Sequence, residues 1–312
     1  MKKVIIAMSG GIDSSVSAVL LKKAGFDVTG IFIRFWSNES EKKARAVAKK
    51  IGIPFKVISF EKEFKKIVVD YFIESYKKGL TPNPCVVCNK ELKFGLLFKK
   101  FNDYIATGHY VRVKDNKLLK GRGKDQSYFL WSINPKVLDR VLFPVGGYTK
   151  EEVKKMAKDF KLPVVNVPES QEACFISDSF LKKYIKNKPG DIVYNNKIIA
   201  EGSGLYTIGQ RKGLNLPGGP FYVLDIKKDK VIVTKNEKDL LKKVLTFKKA
   251  NWFIKPKFPL KVEAKIRYRH KMAKAIVNKN KVIFTNPQRA ITPGQSIVFY
   301  NKDQLLGGGI II

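Results

Sequence analysis

The sequence predicts an α/β domain built on a doubly wound parallel sheet, followed by two small β domains. The first 110 residues alternate short apolar runs with amphipathic stretches, the order that such a sheet requires. From Pro189 onward the pattern changes to short alternating strands broken by Gly, Pro and Asn, with no long helix except near 237–244. The length of 312 residues, 44% of them hydrophobic, is enough for about two domains or more.

In order along the chain, KVIIAM (3–8) predicts a buried strand, 13–24 a helix ending at Gly25, and FDVTGIFIRF (26–35) a second strand. A helix near 40–51 closes at Gly52, FKVISF (55–60) gives a third strand, and 61–78 reads as one long amphipathic helix. Asn89 to Lys100 is helical in pattern, and DYIATG (103–108) is the next parallel strand. Thr149 with Glu152 three residues later forms a capping-box pattern. VYNNKII and VLDIKKDKVIVT read as hairpins, and LLGGGIIII as a final buried strand. Boundaries fall near 187 and 248, giving domains 1–187, 188–247 and 248–312. No internal repeat is visible.

The formal charge of +34, from 61 basic and 27 acidic residues, favours a polyanionic partner. Only nine of the basic residues are arginines, and the lysines are spread along the chain, so a lysine-biased composition is the bland alternative. Three cysteines exclude a secreted disulfide framework and fit a reducing cytoplasm. The apolar run VIIAM is too short for a signal peptide, and no segment has the length of a membrane span.

The most specific local signal is VIIAMSGGIDSSVSAVLL. A buried strand runs into Ser9-Gly10-Gly11, where glycines allow a tight turn, and Asp13-Ser14-Ser15 open a helix whose N–H groups face that turn. Such a place holds phosphate. It lacks the key residues of the kinase-type and dinucleotide loops. A merely capped turn, with Asp13 or Ser14 as N-cap, is the alternative.

In TPNPCVVCNKELKFG, Pro82 and Pro84 stiffen the approach to Cys85 and Cys88, which lead into a helix carrying Lys90 and Lys93. A thiol so placed is expected to have a lowered pKa and to be reactive. Cys174 lies between acidic residues and Phe175-Ile176. The bland reading is three inert buried cysteines. Three cysteines with His109 would also supply four zinc ligands, although the spacing shows no convergence.

The Ser9–Ser14 loop resembles the S-G-G-x-D-S loop of the ATP-pyrophosphatases. SGGIDSS, TPNPCVVCNKELKFG, YIATGHYVR, KDQSYFLW, LFPVGGYTKEEV, ACFIS, YTIGQRKGL, RYRH and TPGQSIVFY, in this order, resemble the tRNA-uridine 2-sulfurtransferases over nearly the whole chain. That resemblance implies a Rossmann-like ATP-pyrophosphatase domain, a small central β domain and a C-terminal β-barrel-like domain. The implied reaction is 2-thiolation of the wobble uridine (position 34) of tRNA. ATP, with Mg2+, adenylates the uridine O2, and a persulfide sulfur then replaces it, so that AMP and pyrophosphate leave.

By position, Cys88 corresponds to the family nucleophile, Cys174 to the persulfide carrier, and Asp13 to the catalytic aspartate of the ATP loop. Ala7, Met8, Ser9, Gly10, Gly11, Ile12, Asp13, Ser14, Ile33 and Gly108 fall on nucleotide contacts. Asn83, Pro84 and Cys85 fall on the segment meeting the target base, and His109, Lys124, Asp125, Gln126, Arg267, Tyr268 and Gln295 on tRNA contacts. The implied partners are tRNAs accepting Lys, Glu and Gln, and a persulfide donor from a cysteine desulfurase or relay protein. No membrane partner is implied.

The stripe KIRYRHK, with Arg267, Arg269 and His270 around Tyr268, mixes charges for phosphate with a ring for stacking, or is one solvated strand face. Residue 85 departs from the family, where it is often aspartate. The substitution opens an alternative in which Cys85, Cys88 and Cys174 hold a [4Fe–4S] cluster whose fourth iron carries sulfide. Other classes are an ATP-pyrophosphatase acting on a small metabolite, and a non-catalytic, zinc-stabilised RNA-binding protein.

Overall fold

The computed structural model describes residues 1–36, 39–165, 174–176, 190–202, 205–227 and 230–312. The chain forms two compact units. One comprises Met1–Val68, Cys85–Ile176 and Lys302–Leu306, the other Val69–Pro84, Ser177–Asn301 and Gly307–Ile312. The boundary expected near 187 lies outside the described residues.

In the first unit β1 (Lys3–Ala7), α1 (Ile12–Lys23), β2 (Asp27–Arg34), α2 (Glu39–Ile51) and β3 (Phe55–Ser59) alternate as the apolar pattern requires. The expected long helix at 61–78 is instead three segments, α3 (Glu61–Phe64), π-helical Lys65–Val69 and α4 (Asp70–Lys77), the last in the second unit. After α5 (Pro84–Val87) the backbone is π-helical over Cys88–Leu96 and closes in α6 (Leu97–Lys100). Then come β4 (Tyr104–Thr107), the hairpin β5 (Val111–Lys114) and β6 (Lys117–Lys120), β7 (Val141–Leu142) and α7 (Lys150–Asp159). The capping box at α7 is complete: Thr149 Oγ1 accepts from the Glu152 N–H, and Glu152 accepts from the Thr149 N–H at 2.7 Å.

The sheet has the order β3-β2-β1-β4-β7 and is parallel throughout. Val4 and Ile6 of β1, with Met8 just beyond it, pack with Val16 of α1, Val47 of α2 and Val153 of α7 in one buried cluster. The strand order reverses between β1 and β4, so a crevice opens beyond their carboxyl ends, where ligands of such sheets bind.

In the second unit, β8 (Asp191–Tyr194), β9 (Lys197–Ala200), β10 (Tyr222–Lys227) and β11 (Lys230–Thr234) form a small sheet over Ile192, Phe221, Val223 and Val231. The first hairpin turns through Asn195 and Asn196, both at positive φ (46° and 62°), as its Asn-Asn pair predicts. The strands β12 (Leu241–Trp252), β13 (Leu260–Lys265), β14 (Ala273–Asn278), β15 (Lys281–Arg289), β16 (Ser296–Asn301) and β17 (Gln304–Ile311) follow. Their order is β12-β15-β14-β13-β16-β17, and β17 returns to β12 through Phe247↔Ile311, so the barrel closes. The helix expected at 237–244 is only a 3₁₀ turn over Glu237–Leu240. Leu245 and Phe247 alternate into the barrel core with period two, which makes their segment a strand. Among the described residues, no helix is long and apolar enough to cross a membrane.

Candidate active site

The turn from β1 into α1 is built from its serines. Ser9 N–H donates to Ser14 Oγ at 3.1 Å, while the Ser14 and Ser15 hydroxyls donate to Gly11 O at 3.2 and 2.8 Å. Gly10 has φ +78°, and a Cβ there would lie 2.5 Å from Ser40 O, so the turn admits only glycine. Gly11 is the N-cap and offers no side chain to the helix. Neither Asp13 nor Ser14 caps α1, and its first-turn N–H groups stay directed at the turn, as an anion site needs.

Asp13 is held from two sides. Its Oδ1 accepts from the Tyr110 hydroxyl at 2.8 Å and from the Lys150 ammonium at 2.5 Å. Lys150 is the first residue of α7, and its side chain is only 12% exposed, so the pair is largely shielded from water. Sequence reading missed both partners. A lysine inside a capping box reads as solvated, and Tyr110 reads as core.

A cavity of about 500 Å3 opens beside this loop. Ala7, Met8, Ser9, Asp13 and Ser14 form one wall; Phe32, Ile33, Phe35 and Trp36 at the end of β2, with Glu39 and Ser40, form another. Thr107, Gly108, His109 and Gln126 close the β4 side, and Lys93 and Cys174 complete the lining. Expected nucleotide contacts thus meet in one cavity with His109, Gln126 and Cys174. Gly10, Gly11 and Ile12 shape the turn without lining it. Phe35 and Trp36, an apolar face suited to a base, were not anticipated, because two aromatics after a strand read as core.

His109 Nδ1 is 2.8 Å from Thr107 Oγ1, and the ring packs against Phe94 and the edge of Phe143. Burial, reinforced by Lys93, holds its pKa well below the usual histidine range, so the ring is neutral. Gln126 Oε1 accepts from Tyr110 N–H, and Asp125 Oδ1 accepts from the N–H groups of Gly121 and Ser127. The Lys124 ammonium lies 5.3 Å from the centre of the Tyr110 ring.

Cys85 lies in α5, half-buried, and Cys88 is the first residue of the π-helical segment, 8% exposed. The expected low thiol pKa is reversed here: burial pushes Cys88 up to about 12, with Lys93 pulling the other way. Lys90 pairs with Glu91 at 2.9 Å and plays no part. Beside Cys88, buried Asn89 donates to Phe129 O at 3.1 Å. Cys174 is an exposed residue on the cavity lining, yet burial of its sulfur raises its thiol pKa, as it does for Cys85, with Lys93 pulling both down. The position of Cys174 is set by its neighbour Phe175, whose buried ring stands edge-on to Phe64 at 5.5 Å and Trp36 at 6.3 Å. The acidic residues that flank Cys174 in sequence lie outside the described residues. Among the described residues, no three His, Cys, Asp or Glu side chains are arranged to hold a metal ion. Cys85, Cys88 and Cys174 form no such group in this structure.

In the second unit, Gln295 Nε2 donates to Thr81 O at 3.0 Å and Pro82 O at 3.3 Å, tethering the segment that leads to Asn83 and Pro84. The Arg267 guanidinium donates to Ile208 O and Ala290 O, both at 2.8 Å, and to Thr292 Oγ1. Tyr268 is half-buried and Arg269 exposed beside it.

Comparison with known proteins covers the whole chain. A tRNA methyl transferase HUP domain model matches residues 2–178, a tRNA methyl transferase PRC-barrel domain model 178–235, and an aminomethyltransferase β-barrel domain model 242–311. A tRNA-specific 2-thiouridylase MnmA 2 of Clostridium botulinum is 44% identical over 344 residues, covering 99% of this chain and 98% of its own. A tRNA-specific 2-thiouridylase MnmA of Carboxydothermus hydrogenoformans is 41% identical over 355 residues, covering 99% and 97%. The MnmA 2 of Clostridium tetani is 44% identical over 352 residues, covering 99% and 98%. On this full-length similarity, the chain belongs to the tRNA-specific 2-thiouridylase family.

Proposed function

We propose that the protein converts the wobble uridine of tRNA to 2-thiouridine, using ATP to activate the base and a cysteine-bound sulfur to replace its oxygen. The observation that carries this reading is the shared cavity: the phosphate-binding turn and Cys174 line the same space of about 500 Å3. A methyl transferase, the activity named in two of the matching models, has no use for a phosphate turn facing a thiol. An ATP-pyrophosphatase acting on a small metabolite leaves the charge of +34 and both cysteine sites unexplained.

In this reading the adenine lies against Phe35 and Trp36, and the N-terminus of α1 with Ser9 and Ser14 receives the phosphates. Asp13 and Glu39 both line the cavity, which suits Mg2+, since that ion is held by one or two carboxylates plus substrate phosphates. The uridine O2 attacks the α-phosphorus and pyrophosphate leaves. This turns a poor leaving oxygen into a good one. The terminal sulfur of a Cys174 persulfide then attacks C2, forming a C–S bond as the C–O bond breaks and AMP departs. Cys88 thiolate next attacks the Cys174 sulfur, releasing 2-thiouridine and leaving a Cys88–Cys174 disulfide, which a thiol reductant returns to two thiols. The high pKa of buried Cys88 keeps it inert until the substrate complex is formed.

The flipped base is assigned to Asn83, Pro84 and Cys85, and the tRNA body to His109, Lys124, Asp125, Gln126, Tyr268 and Gln295, while Arg267, whose guanidinium is spent on Ile208 O, Ala290 O and Thr292 Oγ1, holds that surface in place instead of touching RNA itself. Acceptors for Lys, Glu and Gln, a persulfide donor from a cysteine desulfurase or relay protein, and a cytoplasmic setting belong to the same proposal. The test is incubation with unmodified tRNA, ATP, Mg2+ and a persulfide donor, followed by mass spectrometry of nucleosides. Formation of 2-thiouridine with equimolar AMP and pyrophosphate is expected, and nucleotide turnover without a thiolated base would overturn it.

A further inference from the structure

Lys93 occupies a position that the roles above leave unused. It lies five residues after Cys88 within the π-helical segment Cys88–Leu96. Hydrogen bonding there runs between residues five apart, so residue 93 sits one turn above residue 88 on the same face. In an α-helix the same spacing would turn it about 140° away. The sequence accommodates the wider turn with Gly95, where a Cβ would lie 2.8 Å from Lys90 O. Lys93 also lines the cavity together with Cys174, His109 and Asp13, and among the described residues no carboxylate forms an ion pair with it.

We propose that Lys93 is a catalytic residue of sulfur transfer, its ammonium serving as counter-charge to the sulfur anions that act in the cavity. This rests on the thiolation reading. The anions are the terminal persulfide sulfur of Cys174 as it forms its bond to C2, and the Cys88 thiolate as it attacks the Cys174 sulfur and expels the thiolated base. Both steps move negative charge beside a cavity lined by Phe32, Phe35, Trp36 and Cys174, where a fixed cation acts more strongly than in water. His109 is kept neutral and cannot supply that charge. Lys150 is committed to Asp13 at 2.5 Å. Lys93 is also the one ammonium that draws all three thiols toward their anionic form.

The experiment compares wild type, Lys93→Gln and Lys93→Arg in two readouts. In single-turnover reactions with tRNA, ATP and a persulfide donor, Lys93→Gln is expected to slow 2-thiouridine formation about 100-fold while pyrophosphate release falls far less. Without ATP or tRNA, the rate of Cys174 alkylation by iodoacetamide at fixed neutral pH is expected to fall about tenfold, as thiolate is lost with the neighbouring charge. Lys93→Arg is expected to regain most of both. Equal losses of pyrophosphate release and thiolation would make Lys93 a phosphate ligand and overturn the inference. So would unchanged alkylation, or an arginine variant as poor as glutamine. If wild type itself makes no 2-thiouridine, the thiolation reading fails, whereas the alkylation result still reports on Lys93.

Discussion

Arg267→Ala separates a residue that builds the second unit from one that merely touches RNA. The guanidinium donates to Ile208 O, Ala290 O and Thr292 Oγ1. Ala290 and Thr292 are only 1% and 2% exposed, so water does not readily replace the lost donor. Hydrogen bonds from charged donors contribute about 1.5–3 kcal/mol each. Ala290 O keeps a second partner, the Thr292 hydroxyl at 2.9 Å, so about two of the three losses are felt in full. The expected destabilisation is about 3–6 kcal/mol. The assay is native-state hydrogen exchange under rising urea, read on peptides from β15 and β16, with tRNA affinity measured as a function of salt. Peptides from these strands are expected to lose protection at lower urea in the variant, with the salt slope of tRNA binding unchanged once the protein is folded. A stability within about 0.5 kcal/mol of wild type, together with a salt slope smaller by about one phosphate contact, would refute the structural role.

Three further outcomes are expected. Cys88→Ser and Cys174→Ser are each inactive, whereas Cys85→Ser keeps substantial thiolation with a persulfide donor under air-free conditions; a dead Cys85→Ser enzyme with intact fold and tRNA affinity, beside an iron-containing wild type, would restore the cluster route. Asp13→Ala abolishes pyrophosphate release and leaves tRNA affinity nearly intact, because affinity resides mainly in phosphate contacts elsewhere. It also destabilises the fold, since the Lys150 ammonium, only 12% exposed, loses its carboxylate partner, and unaltered stability in denaturant titration would count against the shielded pair. The third concerns alkaline pH. Cys88 titrates near 12 when folded against an ordinary 9.0, so the buried thiol contributes stability in full below pH 9 and loses it as pH rises toward 12. The total is roughly 4 kcal/mol. Cys88→Ala is therefore expected to show a shallower decline in unfolding free energy between pH 9 and 11, and parallel curves for the two proteins would contradict the burial effect.

Signals carried by neighbouring residues were legible in the sequence. Thr149 and Glu152 announce α7, Asn195-Asn196 the first hairpin of the second unit, and Ser9 to Ser14 the tight turn from β1 into α1. Signals that arise only from packing were not. The pattern of 61–78 is helical, but nothing in it distinguishes the π-helical middle from a regular helix. The direction of the Cys88 shift was misjudged because local lysines suggest a low pKa, while burial, the larger effect, is decided by distant residues. Arg267, in the turn just past β13, looks like a surface cation, and its internal acceptors come from residues 208, 290 and 292. Glu237–Leu240 carries a genuine Asn236 cap, with Asn236 Oδ1 accepting from Lys238 N–H at 3.1 Å, but pairing of Leu241, Lys242 and Val244 with β15 claims the residues that would have continued the helix.

The aromatic contact that seats Phe175 has an energetic corollary. Trp36 belongs at once to the cavity wall and to the ring cluster that receives Phe175. Any ligand that changes the orientation of Trp36 on entering the cavity changes the free energy of inserting Phe175, and with it the position of Cys174. Linkage makes that coupling reciprocal: if an occupied cavity tightens the seating of the sulfur-bearing segment, a seated segment tightens nucleotide binding by the same factor. On the proposed reaction, charging Cys174 with sulfur, and later consuming it, is expected to register as a change in nucleotide affinity through this one indole.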